Sequence, residues 1–330
     1  MNSPAGVRKT NMKSETTPPK SPGKRWYSRV LFAAVLSGVI YYIYTAVNDL
    51  ARFDYSWNWT YLFLSFFFTL AAYLAQFIIW LFLARSFGLH FSFLAAANAW
   101  SLSQLGKYIP GKIGILLIRM DIHPDVPKRA IAVATGVEFI TTMTASCLLV
   151  LLAMAFIPEW SSSSYLRLAA LGLAGLFLII LYPPILKKIT DLAFTLIKRE
   201  PLTDLPSYGL LLKLVGANML VGLPYGLGLF FAFNCFYPLG WNYFLIITGV
   251  YYAASLIGVA AIFAPAGIGV REGIVFLILP ALISKPVVIY ATILTRIIIT
   301  MVELFLALLF FVLDNYFARQ QSGKDKEIIS

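Results

Sequence analysis

Tyr108-Ile109-Pro110-Gly111-Lys112-Ile113-Gly114 and Phe263-Ala264-Pro265-Ala266-Gly267-Ile268-Gly269 nearly repeat each other, and both lie deep inside apolar sequence. Arg119 follows the first; Arg271 and Glu272 follow the second. Proline and glycine interrupt a helix and strip backbone amides and carbonyls of their internal partners. Hydrocarbon cannot replace those partners, so such breaks survive at membrane depth only inside protein or against a polar cavity. Charges beside the breaks point to a cavity that receives something charged.

The surrounding chain fits a bilayer. Of 330 residues 60% are hydrophobic and 12% charged, about half the charge a soluble domain carries. Several apolar runs reach the ~20 residues that cross the hydrocarbon. The net charge of +11 sits mostly in the tail and loops, as membrane orientation requires and unlike the single basic face that nucleic acid would need. Cys147 and Cys235 fall within apolar runs and read as small buried hydrophobes. His90 and His123 stand apart from any cluster that would bind a metal, and neither a cofactor motif nor a nucleophile motif occurs.

The expected architecture is an all-α polytopic membrane bundle of seven or eight transmembrane helices with two broken or re-entrant Pro/Gly segments. Residues 1–29 form a polar tail with seven Lys/Arg (Arg8, Lys9, Lys13, Lys20, Lys24, Arg25, Arg29) against Glu15. This composition predicts disorder and a cytoplasmic N-terminus. The transmembrane domain covers 30–318, and a short polar tail covers 319–330. Spans are expected near 30–47, 59–84, 129–157, 165–182, 208–236, 242–262 and 287–313. Residues 92–122 read as a re-entrant unit, and a half-helix follows the second break. The basic stretch 183–207 reads as a cytoplasmic loop. A crossing second break would give eight spans and put both termini in the cytoplasm.

Charges inside apolar sequence are the candidate site, since each costs about 2.5–3.5 kcal/mol on insertion scales. Lys107, Lys112, Arg119 and Arg271, with the amides of Gly114 and Gly269, are candidates to hold an anionic group where half-helices begin. Pro110, Gly111, Pro265 and Gly267 are the helix breaks. Glu138 and Glu272 are candidates for gating or charge coupling by competing for the same cations. Arg296 and Glu303, seven residues apart and on one helix face, are expected as structural ion-pair residues bound to neighbouring helices.

In their order, these residues resemble the transmembrane region of lysylphosphatidylglycerol synthases, the flippase-like membrane domain of the multiple peptide resistance factor. The likeness covers about residues 28–318 and rests on Pro110, Gly111, Gly114, Arg119 and Glu138, then on Pro265, Gly267, Gly269 and Glu272. Ala266 replaces a glycine often found there. The resemblance implies an inner-membrane protein linked to moving lipids between leaflets. Its expected cargo is an anionic phospholipid or a polyprenyl-phosphate-linked glycan, and a glycosyltransferase is a conceivable partner. Aminoacyl-lipid synthesis by this chain alone is not expected, because the soluble aminoacyltransferase domain is missing from it. Two other readings stay open: an integral-membrane glycosyl or aminoacyl transferase, with Asp121, His123 and Asp125 as its candidates, and a non-catalytic membrane scaffold for a glycosyltransferase.

Overall fold

The computed structural model describes Tyr44 and residues 58–108, 114–122, 126–156, 164–196, 205–261 and 265–329. The basic tail, the expected span 30–47 apart from Tyr44, and Pro110, Gly111, Lys112, His123 and Asp125 lie outside the described residues. Ten α-helices and no strand occur among those described. They are α1 (Trp59–Ser86), α2 (Phe93–Leu105), α3 (Gly114–Ile122), α4 (Lys128–Met154), α5 (Ser164–Ile180), α6 (Pro183–Leu196), α7 (Tyr208–Asn234), α8 (Asn242–Ala260), α9 (Val270–Ile278) and α10 (Lys285–Ile329). Side chains set several starts: Asn58, Ser92 and Ser207 each accept a hydrogen bond from the backbone three residues on, satisfying amides that a helix start leaves bare.

Five of these helices (α1, α4, α7, α8 and α10) are long and apolar enough to cross a bilayer, and α5 with α6 makes a sixth if the pair counts as one span. The chain is a multi-pass membrane protein. Two boundaries differ from the sequence reading. The stretch 183–207 is helical over Pro183–Leu196 and bends 74° from α5. Its charge density suggested a loop, but Leu186 and Phe194 bury themselves with Leu181, Leu211 and Leu214, and that apolar face holds a helix against the bundle. The expected polar tail from 319 continues α10 to Ile329, since no proline interrupts it.

Contacts fix the helix directions. The start of α1 meets the end of α7, where Asn58 N donates to Cys235 O and Ser65 Oγ to Gly228 O. In α2, Phe91 just before its start packs on Trp80 and Trp100 on Tyr73, so α2 opposes α1. Along α10, Glu303 meets Lys107 and Asp314 meets Asn98, so α10 opposes α2. Helix α4 parallels α7 through Thr142–Asn218 and Leu149 against Gly222. Helix α8 opposes α7 and presses on α4 so closely that a Cβ on Gly249 would lie 2.1 Å from that of Ala153.

These directions define two broken units. Helices α2 and α3 go in and return to the face where α1 ends. Helices α8 and α9 enter from the opposite face and return there, so the stretch expected as a full span over 242–262 is the entering limb of a broken unit and the second break turns back instead of crossing. Helices α4, α5 and α7 separate the units, an odd count that makes them an inverted pair. Their tips, the 3₁₀ turns Gly106–Tyr108 and Pro265–Gly267, meet inside the bundle with Cα atoms within 8 Å. Tyr73, which shares the carboxylate of Glu303 with Lys107 of the first tip, lies midway along α1, about 20 Å from either end at 1.5 Å per residue.

Candidate functional site

The first tip is anchored by Glu303. Its carboxylate, 0% exposed, accepts hydrogen bonds from Lys107 Nζ and Tyr73 OH on one oxygen and from Tyr108 OH, at 3.2 Å, on the other. Tyr108 OH also lies 3.2 Å from Thr300 Oγ1. Three elements thus converge on one carboxylate: α1, the first tip and α10.

Glu272 anchors the second unit. It stands in the first turn of α9, where Gly269 N donates to its Oε2 at 2.7 Å and Arg296 Nε, from α10, donates to its Oε1. The positive end of the α9 helix and a guanidinium therefore grip a single carboxylate. The tight turn before α9 uses left-handed backbone at Ala266 (φ 52°), Gly267 (φ 71°) and Gly269 (φ 82°). The alanine bears the strain that a glycine would avoid. Added Cβ atoms on Gly258 and Gly267 would meet Arg271 at 2.7 and 3.0 Å, so the missing side chains make a groove for the Arg271 stem. Arg271 Nε is buried without a hydrogen-bond partner among the described residues.

Between these groups lies a cavity of about 20 Å³, lined by Tyr225, Tyr251, Ser255, Arg271, Glu272, Thr292, Thr295 and Arg296. It has room for about one water. Tyr251 OH, held by Thr292 and Thr295 at 3.2 and 3.1 Å, crosses from α8 to α10. Lys107, Arg271 and Arg296 lie close enough to repel one another, so the two carboxylates and the cavity belong to one electrostatic cluster. Among the described residues no group of three His, Cys, Asp or Glu side chains is arranged to hold a metal ion.

The sequence candidates separate into three groups. Lys107, Arg271, Glu272, Arg296 and Glu303 come together in this cluster. Arg296 and Glu303 do face the same way, but they do not pair with each other. Seven residues place them about 10 Å apart along the helix axis, and each reaches a charge on a different broken unit. Arg119 and Glu138 form a separate pair. Arg119, 1% exposed, donates to Glu138 at 2.5 Å and to Ser103 and Thr135, and stacks 4.8 Å from the Trp80 ring centre. Trp100 Nε1 donates to the same carboxylate. The remaining candidates are backbone groups. Gly114 packs against Gly106, whose own Cβ would lie 2.4 Å from the Gly114 carbonyl carbon, so the bare Gly106 lets the Gly114 backbone approach closely. The amide of Gly269 is occupied by Glu272. Sequence reading missed the hydroxyl lining: Tyr73, Tyr225 and Tyr251 are phenols in mid-span, which an apolar run with a lone polar tip can signal.

Residues 29–307 match the family model described as the lysylphosphatidylglycerol synthase TM region. No curated protein matches the chain. The family match takes in both broken units and every charged residue of the cluster, and the chain belongs to the lysylphosphatidylglycerol synthase TM region family.

Proposed function

We propose that this protein moves an anionic lipid between leaflets, with the phosphate of a phospholipid or of a polyprenyl-phosphate-linked glycan carried by Lys107, Arg271 and Arg296. The observation that carries this reading is the position of Glu272, whose carboxylate sits on a helix N-terminus and an arginine, where a phosphate would bind by the same contacts. Arg271 beside it, whose Nε has no hydrogen-bond partner among the described residues, is the added attraction that lets an incoming anion displace the internal one. A cavity of about 20 Å³ is too small for a headgroup, so this form is closed and the carboxylates hold the cations until lipid arrives. Acyl or prenyl chains stay in the bilayer throughout.

The sidedness follows from charge. Arg85, Lys128, Arg129, Lys187 and Lys188 gather at the face where α1 ends, and α10 leaves the bundle there. Trp59 and Trp241 stand exposed at the other. By the Lys/Arg bias the first face is cytoplasmic, in an inner membrane, and the basic residues of the tail 1–29 put the N-terminus on that same side.

The test is reconstitution in liposomes with labelled anionic phospholipid and lipid-linked sugar, following leaflet exchange. Arg271→Ala and Glu272→Gln slow exchange while the protein stays folded. Folded wild type that moves none of these lipids, and carries none on purification in mild detergent, would refute the transport reading and leave a scaffold role.

A further inference from the structure

Glu303 and Glu272 both hold cations that a lipid phosphate would take, but they are left in different situations when it does. If Arg296 turns to phosphate, Glu272 keeps the Gly269 amide and the positive end of α9, and its side chain is 15% exposed. Glu303 has no such reserve. It is fully buried at the middle of the bundle, and without Lys107 its bonds within the described residues are the neutral hydroxyls of Tyr73 and Tyr108. An ionised carboxylate with no cation, cut off from water, is strongly disfavoured against its protonated form.

Among the described residues, the groups around Glu303 do not offer a replacement. Tyr73 comes from α1, Lys107 and Tyr108 from the first tip, Thr300 from α10 and Tyr225 from α7. Arg296 is engaged by Glu272. Arg271 faces the cavity that it shares with Arg296 and is claimed by the same phosphate.

We infer that Glu303 takes up a proton when Lys107 turns to the lipid phosphate, so that each anionic headgroup moves together with one proton. This rests on the transport reading above and adds its coupling ion. The balance is simple: the Lys107 ammonium keeps its protons, the Glu303 carboxylate becomes a carboxylic acid using a proton from the side that admits the lipid, and that proton leaves as Lys107 returns. For a headgroup with one negative charge the cycle carries no net charge. A pH gradient therefore drives it and a membrane potential does not.

The experiment uses the full chain in phosphatidylcholine vesicles containing a trace of chain-labelled phosphatidylglycerol, with outer-leaflet label read by a membrane-impermeant quencher. A gradient of one pH unit at clamped zero potential concentrates label about tenfold in the leaflet facing the alkaline side, the ratio set by one proton per lipid. A potential without a pH gradient leaves the leaflets equal. In Glu303→Gln the ratio falls to unity, whatever the rate. In detergent without buffer, phosphatidylglycerol binding to wild type takes up about one proton per lipid, a reading that does not depend on a variant folding. Exchange that equalises the leaflets despite the pH gradient, redistribution by potential alone, a ratio that survives in Glu303→Gln, or binding without proton uptake would each overturn the coupling while leaving transport standing. Wild type that neither binds nor moves the lipid would overturn both.

Discussion

Replacing Arg119 by methionine tests how much the buried Arg119–Glu138 pair contributes to holding the first broken unit against α4. Methionine keeps most of the volume and removes the charge. It leaves Glu138 with Trp100 Nε1 and no cation within the pair, and breaking a buried pair from one side costs about 3–5 kcal/mol. The stacking of the guanidinium over Trp80 at 4.8 Å adds about 1–2 kcal/mol when desolvated. Methionine packing returns part of this, so the expected loss is about 4 kcal/mol, or roughly 10 °C in Tm for a chain of this size. Thermal unfolding in detergent, followed by tryptophan fluorescence and by retention of a monodisperse gel-filtration peak, reads it. The double variant Arg119→Met/Glu138→Gln recovers at least half of the shift, because it removes both charges instead of stranding one. A single variant within about 2 °C of wild type, or a double variant no more stable than the single, would refute the ion-pair account.

Three further outcomes are expected. Gly249→Ala lowers stability by about 1–3 kcal/mol through overpacking, because its Cβ would sit 2.1 Å from that of Ala153; adding Ala153→Gly restores Tm, and a silent Gly249→Ala would show that α4 and α8 do not meet there. Gly267→Ala forces a left-handed alanine at a cost of about 1–2 kcal/mol and pushes on Arg271 Nε, 3.0 Å from the new Cβ; lipid exchange drops several-fold while Tm falls by a few degrees, and unchanged exchange would remove Arg271 from the site. Thr195→Cys on the exposed side of α6 reacts with an impermeant thiol reagent only in inverted vesicles, and Tyr237→Cys, beyond the end of α7, only in intact cells; the reverse pattern would invert the assigned sides.

What could be read in the sequence, and what could not, follows from the range of the interactions. The breaks were legible because Pro/Gly clusters in apolar sequence are a local signal, and Lys107, Arg271 and Glu272 were legible because charge at membrane depth demands a reason. The pairing was not. Lys107 and Glu303 are 196 residues apart and Tyr73 and Glu303 are 230 apart, and helix packing alone decides that they meet. The seven-residue spacing of Arg296 and Glu303 set their common face correctly and said nothing of which broken unit each would reach. Gly114 shows the opposite failure. A glycine at a helix start reads as a free amide, yet its neighbour Gly106 makes it a packing contact, and only the return path of α3 reveals that.

The two inverted units repeat one more feature, with the charges exchanged. In the first, the returning half-helix α3 carries the cation, Arg119, and the next span α4 the carboxylate, Glu138. In the second, the returning half-helix α9 carries the carboxylate, Glu272, and the next span α10 the cation, Arg296. Each half-helix is thus tied to the helix that follows it by one ion pair, but the ties differ in what surrounds them. Arg119 is closed in by Trp80, Ser103 and Thr135, so leaving Glu138 would cost it several contacts at once. Arg296 borders a polar cavity and is repelled by Arg271, so an anion that neutralises that repulsion favours opening of this tie. Under the proposed transport, this asymmetry makes α9, short and entered through a left-handed turn, the element expected to move when Glu272 gives up its place, and α2–α3 the wall expected to present Lys107.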